Sequence, residues 1–302
     1  MLSNYIIIKN IKVQNANALS SAFTIGFPAV TSFMGFMHGL QRKINDYNKD
    51  FSEVRFNSLI ICCHKFKIHT FKGNKDYNRS IVGTANPLTK DGKRPSFIEE
   101  GRCNFTVSLV IKADKNVNSE NSEEIKNIIS QSLLQKMKIA GGDILSFEKV
   151  EIRKVDTSID SDSKKLMLTL MPGYVLVERR DLVEKTMIDE KKDALDSLLD
   201  YLPLNSSCTE KDNGEVEWTT TKKEPGWFVP IAVGFQGISP LVEKGKTFCQ
   251  RDPNYCHRFA ENIVTLGEFK MPYRFASPDE AEWYYDYDEK NNLYKCVNKK
   301  GE

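Results

Sequence analysis

The apolar residues of this chain switch from a strand-like to a helix-like period and back, twice over, within residues 1–156. Residues 5–14 hold Ile6, Ile7 and Ile8, then Ile11 and Val13, the make-up of a buried strand. Residues 15–27 read as a loop. Pro28 then stands where a helix can start without its missing N–H mattering. Val30, Phe33, Met34, Met37, Leu40 and Ile44 follow at helical spacing and predict one apolar stripe. Residues 55–71 return to strand character: Leu59, Ile60 and Ile61 are continuous, then Phe66, Ile68 and Thr70 alternate with Lys65, Lys67 and His69. Residues 101–113 alternate cleanly. Cys103, Phe105, Val107, Leu109 and Ile111 take one face, and Arg102, Asn104, Thr106 and Ser108 take the other. A second helix is predicted over 122–139, capped by Asn121 and stopped by Gly141 and Gly142. A fourth strand spans 144–155.

That order is strand, helix, strand, strand, helix, strand. It predicts an α+β fold whose body, residues 1–156, is ferredoxin-like, the pattern shared with RNA-recognition motifs. The pattern argues fold and leaves function open. One departure stands out. Strands two and three should meet in a tight turn, yet residues 72–101 intervene, and insertions of that length inside a domain are uncommon and usually functional. The insertion carries Lys72, Lys75, Arg79, Lys90, Lys93 and Arg94 against Asp76, Asp91, Glu99 and Glu100, with Tyr77 and Asn86 among the bases. It reads as a projecting, partly β-structured arm.

Residues 157–302 are less regular and are expected to complete the body and offer a partner interface. A strand is predicted at 165–170, a turn at Pro172-Gly173, a strand at 174–177 and a helix over 182–202. Residues 205–224 read as a mobile polar loop, and 225–236 as an edge strand at best because of Pro230. A last helix is predicted over 253–266, stopped by Gly267. The tail after Pro278 is acidic and aromatic and receives no role.

Charge narrows the function classes. The chain has 302 residues with 43 basic and 41 acidic side chains, net +2. This balance excludes a protein basic all over but allows a local basic groove. Seven cysteines, an odd number, show no disulfide framework. No apolar run reaches the roughly 20 residues a membrane helix needs, and no signal segment is evident. A reduced, cytoplasmic home with no membrane contact is therefore expected.

Metal and catalytic readings are weak. Cys62, Cys63 and His64 are consecutive, so a strand would point them to different sides. Cys249, Cys256 and His257 lack zinc-site spacing. A metal-free ribonuclease would need a histidine base and a charge-steadying partner. His64 and His69 lie an odd number of residues apart, which predicts opposite faces. No catalytic residue, metal or cofactor is assigned, and a metal-independent endoribonuclease stays as the alternative.

RNA contact fits the polar and basic residues better. Gln14, Asn15 and Asn17 can read base edges or a 2′-OH, and can equally satisfy the backbone of a tight loop. In the arm, Arg79, Lys93 and Arg94 can neutralise phosphates, with Arg102 at its base. Tyr77 can stack on a base, and Asn86 adds a polar contact. A solvated loop explains any single lysine there better, and RNA contact is favoured only for the arm as a whole.

Several stretches together resemble one family. They are Gln14-Asn15-Ala16-Asn17-Ala18, Gly26-Phe27-Pro28, Gly35-Phe36-Met37-His38-Gly39-Leu40-Gln41-Arg42 and Cys63-His64-Lys65-Phe66. Next come Asn86-Pro87-Leu88 with Asp91-Gly92, Glu99-Glu100-Gly101-Arg102 and Ala140-Gly141-Gly142. Met171-Pro172-Gly173, Pro225-Gly226-Trp227 with Val229-Pro230-Ile231, and Leu266-Gly267-Glu268 complete the set. Their number and order, over roughly residues 5–270, are similar to the second subunit of the Csy complex, the type I-F CRISPR interference assembly. The resemblance implies a ferredoxin-like body with a thumb and no catalysis. It also implies binding of the 5′ handle of the CRISPR RNA together with the large subunit, and contact with the adjacent backbone subunit. Target DNA would be met through the complex.

Overall fold

Ile6, Ile7 and Ile8 are all fully buried, so the strand that carries them is covered on both faces. The fold comes from a computed structural model that describes residues 2–84, 88–95, 100–118, 120–135, 137–210, 215–250 and 252–298. The first half runs β1 (Leu2–Asn17), β2 (Leu19–Ser21), β3 (Thr24–Ile25), α1 (Val30–Tyr47), β4 (Phe56–Ile68), β5 (Thr70–Phe71) and β6 (Ser80–Ile81). It continues with β7 (Arg102–Ala113), α2 (Ser122–Gln135), β8 (Lys138–Ile139), β9 (Gly142–Ser146) and β10 (Lys149–Asp156). The second half adds α3 (Asp160–Leu168), β11 (Tyr174–Glu178), α4 (Arg180–Glu190), α5 (Ala194–Leu199), β12 (Asn205–Glu210) and β13 (Val216–Thr221). It ends with β14 (Phe228–Gly237), β15 (Ala260–Lys270), β16 (Tyr284–Asp288) and β17 (Leu293–Val297).

Eleven strands make one sheet, in the order β16-β17-β14-β15-β11-β4-β7-β1-β9-β8, with β10 also on β1. Its pairings are antiparallel. A bridge between Leu59 and Trp283 brings the residue before β16 back to β4, so the sheet curls. The architecture is thus mixed α and β around one curled antiparallel sheet.

Each face of the central strands has its own core. On one face Ile6, Ile8, Leu59, Ile61, Leu109 and Ile111 pack with the α1 stripe of Val30, Phe33, Met34, Met37, Leu40 and Ile44 and with Ile125 and Ile129 of α2. On the other, Tyr5, Ile7, Ile60, Cys62 and Val110 pack under Leu166, Met167, Leu170, Phe275 and Ala281. Adjacent residues of one strand face opposite ways, which is why a continuous apolar run is buried on both sides.

In the first half α1, β1, β4 and β7 fall near where the sequence pattern puts them, while the segment 15–27 holds β2 and β3 and the fourth strand splits into β9 and β10. The second helix stops at Gln135, earlier than predicted. Gly141 is not its cap. Ala140 and Gly141 both take positive φ in the turn between β8 and β9. Gly142 begins β9, and a Cβ there would lie 2.8 Å from the Ala16 backbone. The second half departs further. In place of the strand predicted at 165–170, residues 165–168 end helix α3, which opens with Asp160 and Asp162 in its first turn. The helix predicted over 182–202 breaks into α4 and α5, with Lys191 left-handed between them. The polar segment 205–224 contains the β12–β13 hairpin. β14 is no edge strand, because β15 and β17 flank it. The helix predicted over 253–266 is replaced by β15, whose Ile263, Val264 and Thr265 are β-branched. The tail after Pro278 supplies β16, β17 and the fully buried Trp283.

Candidate nucleic-acid interface

The face under Tyr5 and Ile7 is closed by α3 and the C-terminal segment. Further along the same strands it opens, and strand irregularities decide what it presents. The register of β1 against β7 slips between Ile8 and Ile11 and again between Val13 and Ala16. One extra β1 residue enters at each slip. Asn10 (φ 53°) and Asn15 (φ 56°) absorb them in the left-handed region, which asparagine tolerates. β4 carries its own slip between Cys63 and Lys65. A bulge moves every later side chain to the other face. Lys12, Thr106 and Lys65 therefore stand in one cross-strand row, and Asn104 and Lys67 stand in the next but one. Val13 and Phe105, between those rows, turn into the helix-side core.

Lys12, Gln14, Lys65, Lys67, Asn104 and Thr106 line an open groove of about 400 Å³. Lys12, Gln14, Lys65 and Lys67 are exposed. Among the described residues none of these three lysines has an ion-pair partner. That contrasts with Lys9, Lys149 and Arg153, which surround Glu151. Burial opposes the charge on Glu151, but hydrogen bonds from Lys149 and Arg153 outweigh it and hold the carboxyl near 2.

The groove floor is fixed by side chains. Asn104 Oδ1 accepts from the Asn15 N–H at 2.9 Å and lies 2.9 Å from His69 Nε2. His64 Nδ1 lies 2.6 Å from the Pro172 carbonyl oxygen, and its Nε2 lies 2.7 Å from Ser108 Oγ. A carbonyl only accepts, so Nδ1 carries the proton. In the neutral ring Nε2 then accepts from the Ser108 hydroxyl, whose oxygen accepts from the Asn10 N–H at 3.1 Å. His64 and His69 thus reach Ser108 and Asn104, which share one face of β7. The expectation of opposite faces fails because the β4 bulge adds a residue between them.

The residues singled out from sequence fall into three groups. Gln14 lines the groove, and Asn15 is tied to it through its own N–H. Asn17 is turned to local use: its Nδ2 donates to the Leu19 carbonyl, and its Oδ1 accepts from the Leu19 N–H. Arg102, opposite Asn17, is paired with Glu100 at 3.0 Å. The arm leaves from this end of the groove, since β4 ends and β7 begins there. Tyr77 is 93% exposed, and Arg79, Lys93 and Arg94 are exposed without ion pairs to described residues. No hydrogen bond among described residues ties these four side chains to the groove. Asn86 lies outside the described residues. Lys12, Lys65, Lys67, Asn104 and Thr106 carry no role in the sequence reading, although the alternations at 65–69 and 102–108 place most of them toward solvent.

Other chemistry is muted. Burial pushes the thiols of Cys63 and Cys103 up to about 12, which keeps them protonated. Among the described residues no group of three His, Cys, Asp or Glu could hold a metal ion. None of their helices is long and apolar enough to cross a membrane.

A family model described as CRISPR-associated protein (Cas_Csy2) matches residues 6–296, which include the groove and both halves of the sheet. The chain belongs to the Csy2 family of CRISPR-associated proteins. CRISPR-associated protein Csy2 of Pseudomonas aeruginosa (strain UCBPP-PA14) is 30% identical to it, over 96% of this chain and 94% of that protein. It is therefore a Csy2 subunit of a type I-F CRISPR system. As a Csy2 chain it belongs with the other Csy subunits, and the groove is where its own chemistry suits a polyanion.

Proposed function

We propose that this Csy2 subunit grips the 5′ handle of the CRISPR RNA along the Lys12–Lys65–Lys67 groove, together with the large subunit, and does not cut it. The observation that carries the reading is three exposed lysines, without carboxylate partners among the described residues, on an open strand face. Lysines so placed neutralise phosphates, while Gln14, Asn104 and Thr106 offer donors and acceptors to bases or 2′-OH groups. Two residues along a strand advance about 6.8 Å, so Lys65 and Lys67 suit successive phosphates of an extended strand.

The β1-α1-β4-β7-α2-β10 order supports a ferredoxin-like body. In this reading the 72–101 insertion is its thumb, and the exposed Arg79, Lys93, Arg94 and Tyr77 lie along the RNA beyond the groove. The adjacent backbone subunit abuts this end, target DNA is met through the assembled complex, and the complex works in the cytoplasm. Both ring nitrogens of His64 are engaged, which supports a holding role over proton transfer.

Filter binding of the co-purified complex tests the reading. Handle RNA is expected to bind more tightly than a scrambled RNA of equal length, and equal affinities overturn the handle assignment. Precursor RNA is expected to stay intact with EDTA and with magnesium. Cleavage under either condition returns the ribonuclease reading.

A further inference from the structure

We propose that Asn104 is the residue through which the groove reads sequence: its fixed NH2 group selects a base with a keto oxygen, uracil or guanine, and rejects cytosine and adenine at one nucleotide. The inference rests on the RNA reading of the groove and names what that groove distinguishes.

The first observation fixes which way the amide points. Asn104 Oδ1 lies 2.9 Å from the Asn15 backbone nitrogen. A backbone N–H only donates, so the atom facing it is the carbonyl oxygen, and a flipped amide would set NH2 against N–H. The same oxygen lies 2.9 Å from His69 Nε2, which therefore carries a proton and donates a second hydrogen bond. With its oxygen held twice, the amide keeps one orientation and turns Nδ2 away from both partners.

The second is what Nδ2 meets. Asn104 lines the open groove, and among the described residues Nδ2 has no hydrogen-bond acceptor. It offers two N–H donors and no acceptor. Uracil O4 and guanine O6 accept from such a group, whereas the amino groups at the same place on cytosine and adenine set donor against donor. The neighbouring side chains do not discriminate in this way. Gln14 is exposed and can turn either end of its amide to a base, and the Thr106 hydroxyl both donates and accepts.

The third is where Asn104 sits. It stands on β7, between β1 with Lys12 and β4 with Lys65 and Lys67. Neighbouring strands lie about 4.8 Å apart. The lysines are exposed and Asn104 is half-buried, so the cations form the rim and the amide lies in the floor. A backbone held by its phosphates at the rim leaves a base to reach the floor.

Filter binding of the co-purified subunits to handle RNAs that carry each of the four bases at every position in turn tests this. With the native chain, one position is expected to bind uracil and guanine about tenfold more tightly than cytosine and adenine. Asn104→Asp keeps an oxygen toward Asn15 and His69 and replaces the donors with an acceptor, so the order at that position is expected to reverse. Its added charge weakens all RNAs alike and drops out of the ratio. Asn104→Ala, which removes the donors, is expected to level the four bases there and leave other positions unchanged. A native chain with no such position overturns the proposal. So does a loss in the variants that is equal for every RNA, which would make Asn104 a phosphate or sugar contact. Alanine at the groove lysines separates the two readings: an unchanged salt slope removes the groove and this inference with it, whereas a lowered slope with no base-reading position removes this inference alone.

Discussion

Lys65 and Lys67 owe their position to one extra residue. Without the bulge after Cys63 they would share Cys63's face and press on the α1 core; with it they join Thr106 on the open side. The alternation of lysines was legible in the sequence, but the side they take was not, because a bulge leaves no residue signature in β4. Asn10 and Asn15 were the readable hint in β1, since asparagine is enriched at positive φ. Changing Lys12, Lys65 and Lys67 to alanine one at a time is expected to lower the salt slope of handle binding by about 0.7 per lost phosphate contact. An unchanged slope would place the RNA elsewhere. Glu282 is the other decisive residue. Its fully buried carboxylate accepts from Tyr5 Oη and Ser58 Oγ, each at 2.8 Å, from Lys112 Nζ at 3.2 Å and from the Tyr284 hydroxyl. Glu282→Leu takes the buried acceptor from Tyr5 and Ser58, while Lys112 keeps Asp279 at 2.8 Å, and is expected to cost about 3–5 kcal/mol in denaturant unfolding.

At the scale of elements, helices with a clean stripe were legible and short or β-branched segments were not. Leu166 and Met167 of α3, with Leu170 just after it, look like a short apolar run when read alone. Helix and strand cannot be separated over so few residues by period. In β15, Pro253 invites a helix start, yet the strand begins only at Ala260 and its partners β11 and β14 decide its state. The Pro172-Gly173 turn shows how one element holds another. A Cβ on Gly173 would lie 2.6 Å from Cys62 Sγ and 2.7 Å from His64 Nδ1. Gly173→Ala is therefore expected to displace His64 from Pro172 and cost about 1–3 kcal/mol. Melting would register the loss, and weaker handle binding would report the disturbed groove floor.

Across the whole molecule, charge pairing sets the acid limit. Glu151 is held near 2 against an ordinary 4.5, so its contribution is present above about pH 4.5 and fades as pH falls toward 2. Glu151→Gln is expected to flatten the stability profile in that window and leave neutral pH less stable, as thermal melts between those limits would show. The bridge from Leu59 to Trp283 has a further consequence. Tyr5 and Glu282 bond across 277 positions, so the first strand is not finished until the last segment arrives. Completing this barrel-like wrap waits for the segment around Glu282, and long closures of that kind fold slowly. The groove strands are clamped only after that segment has folded back, which makes loss of residues 279–297 as damaging as loss of the first strand.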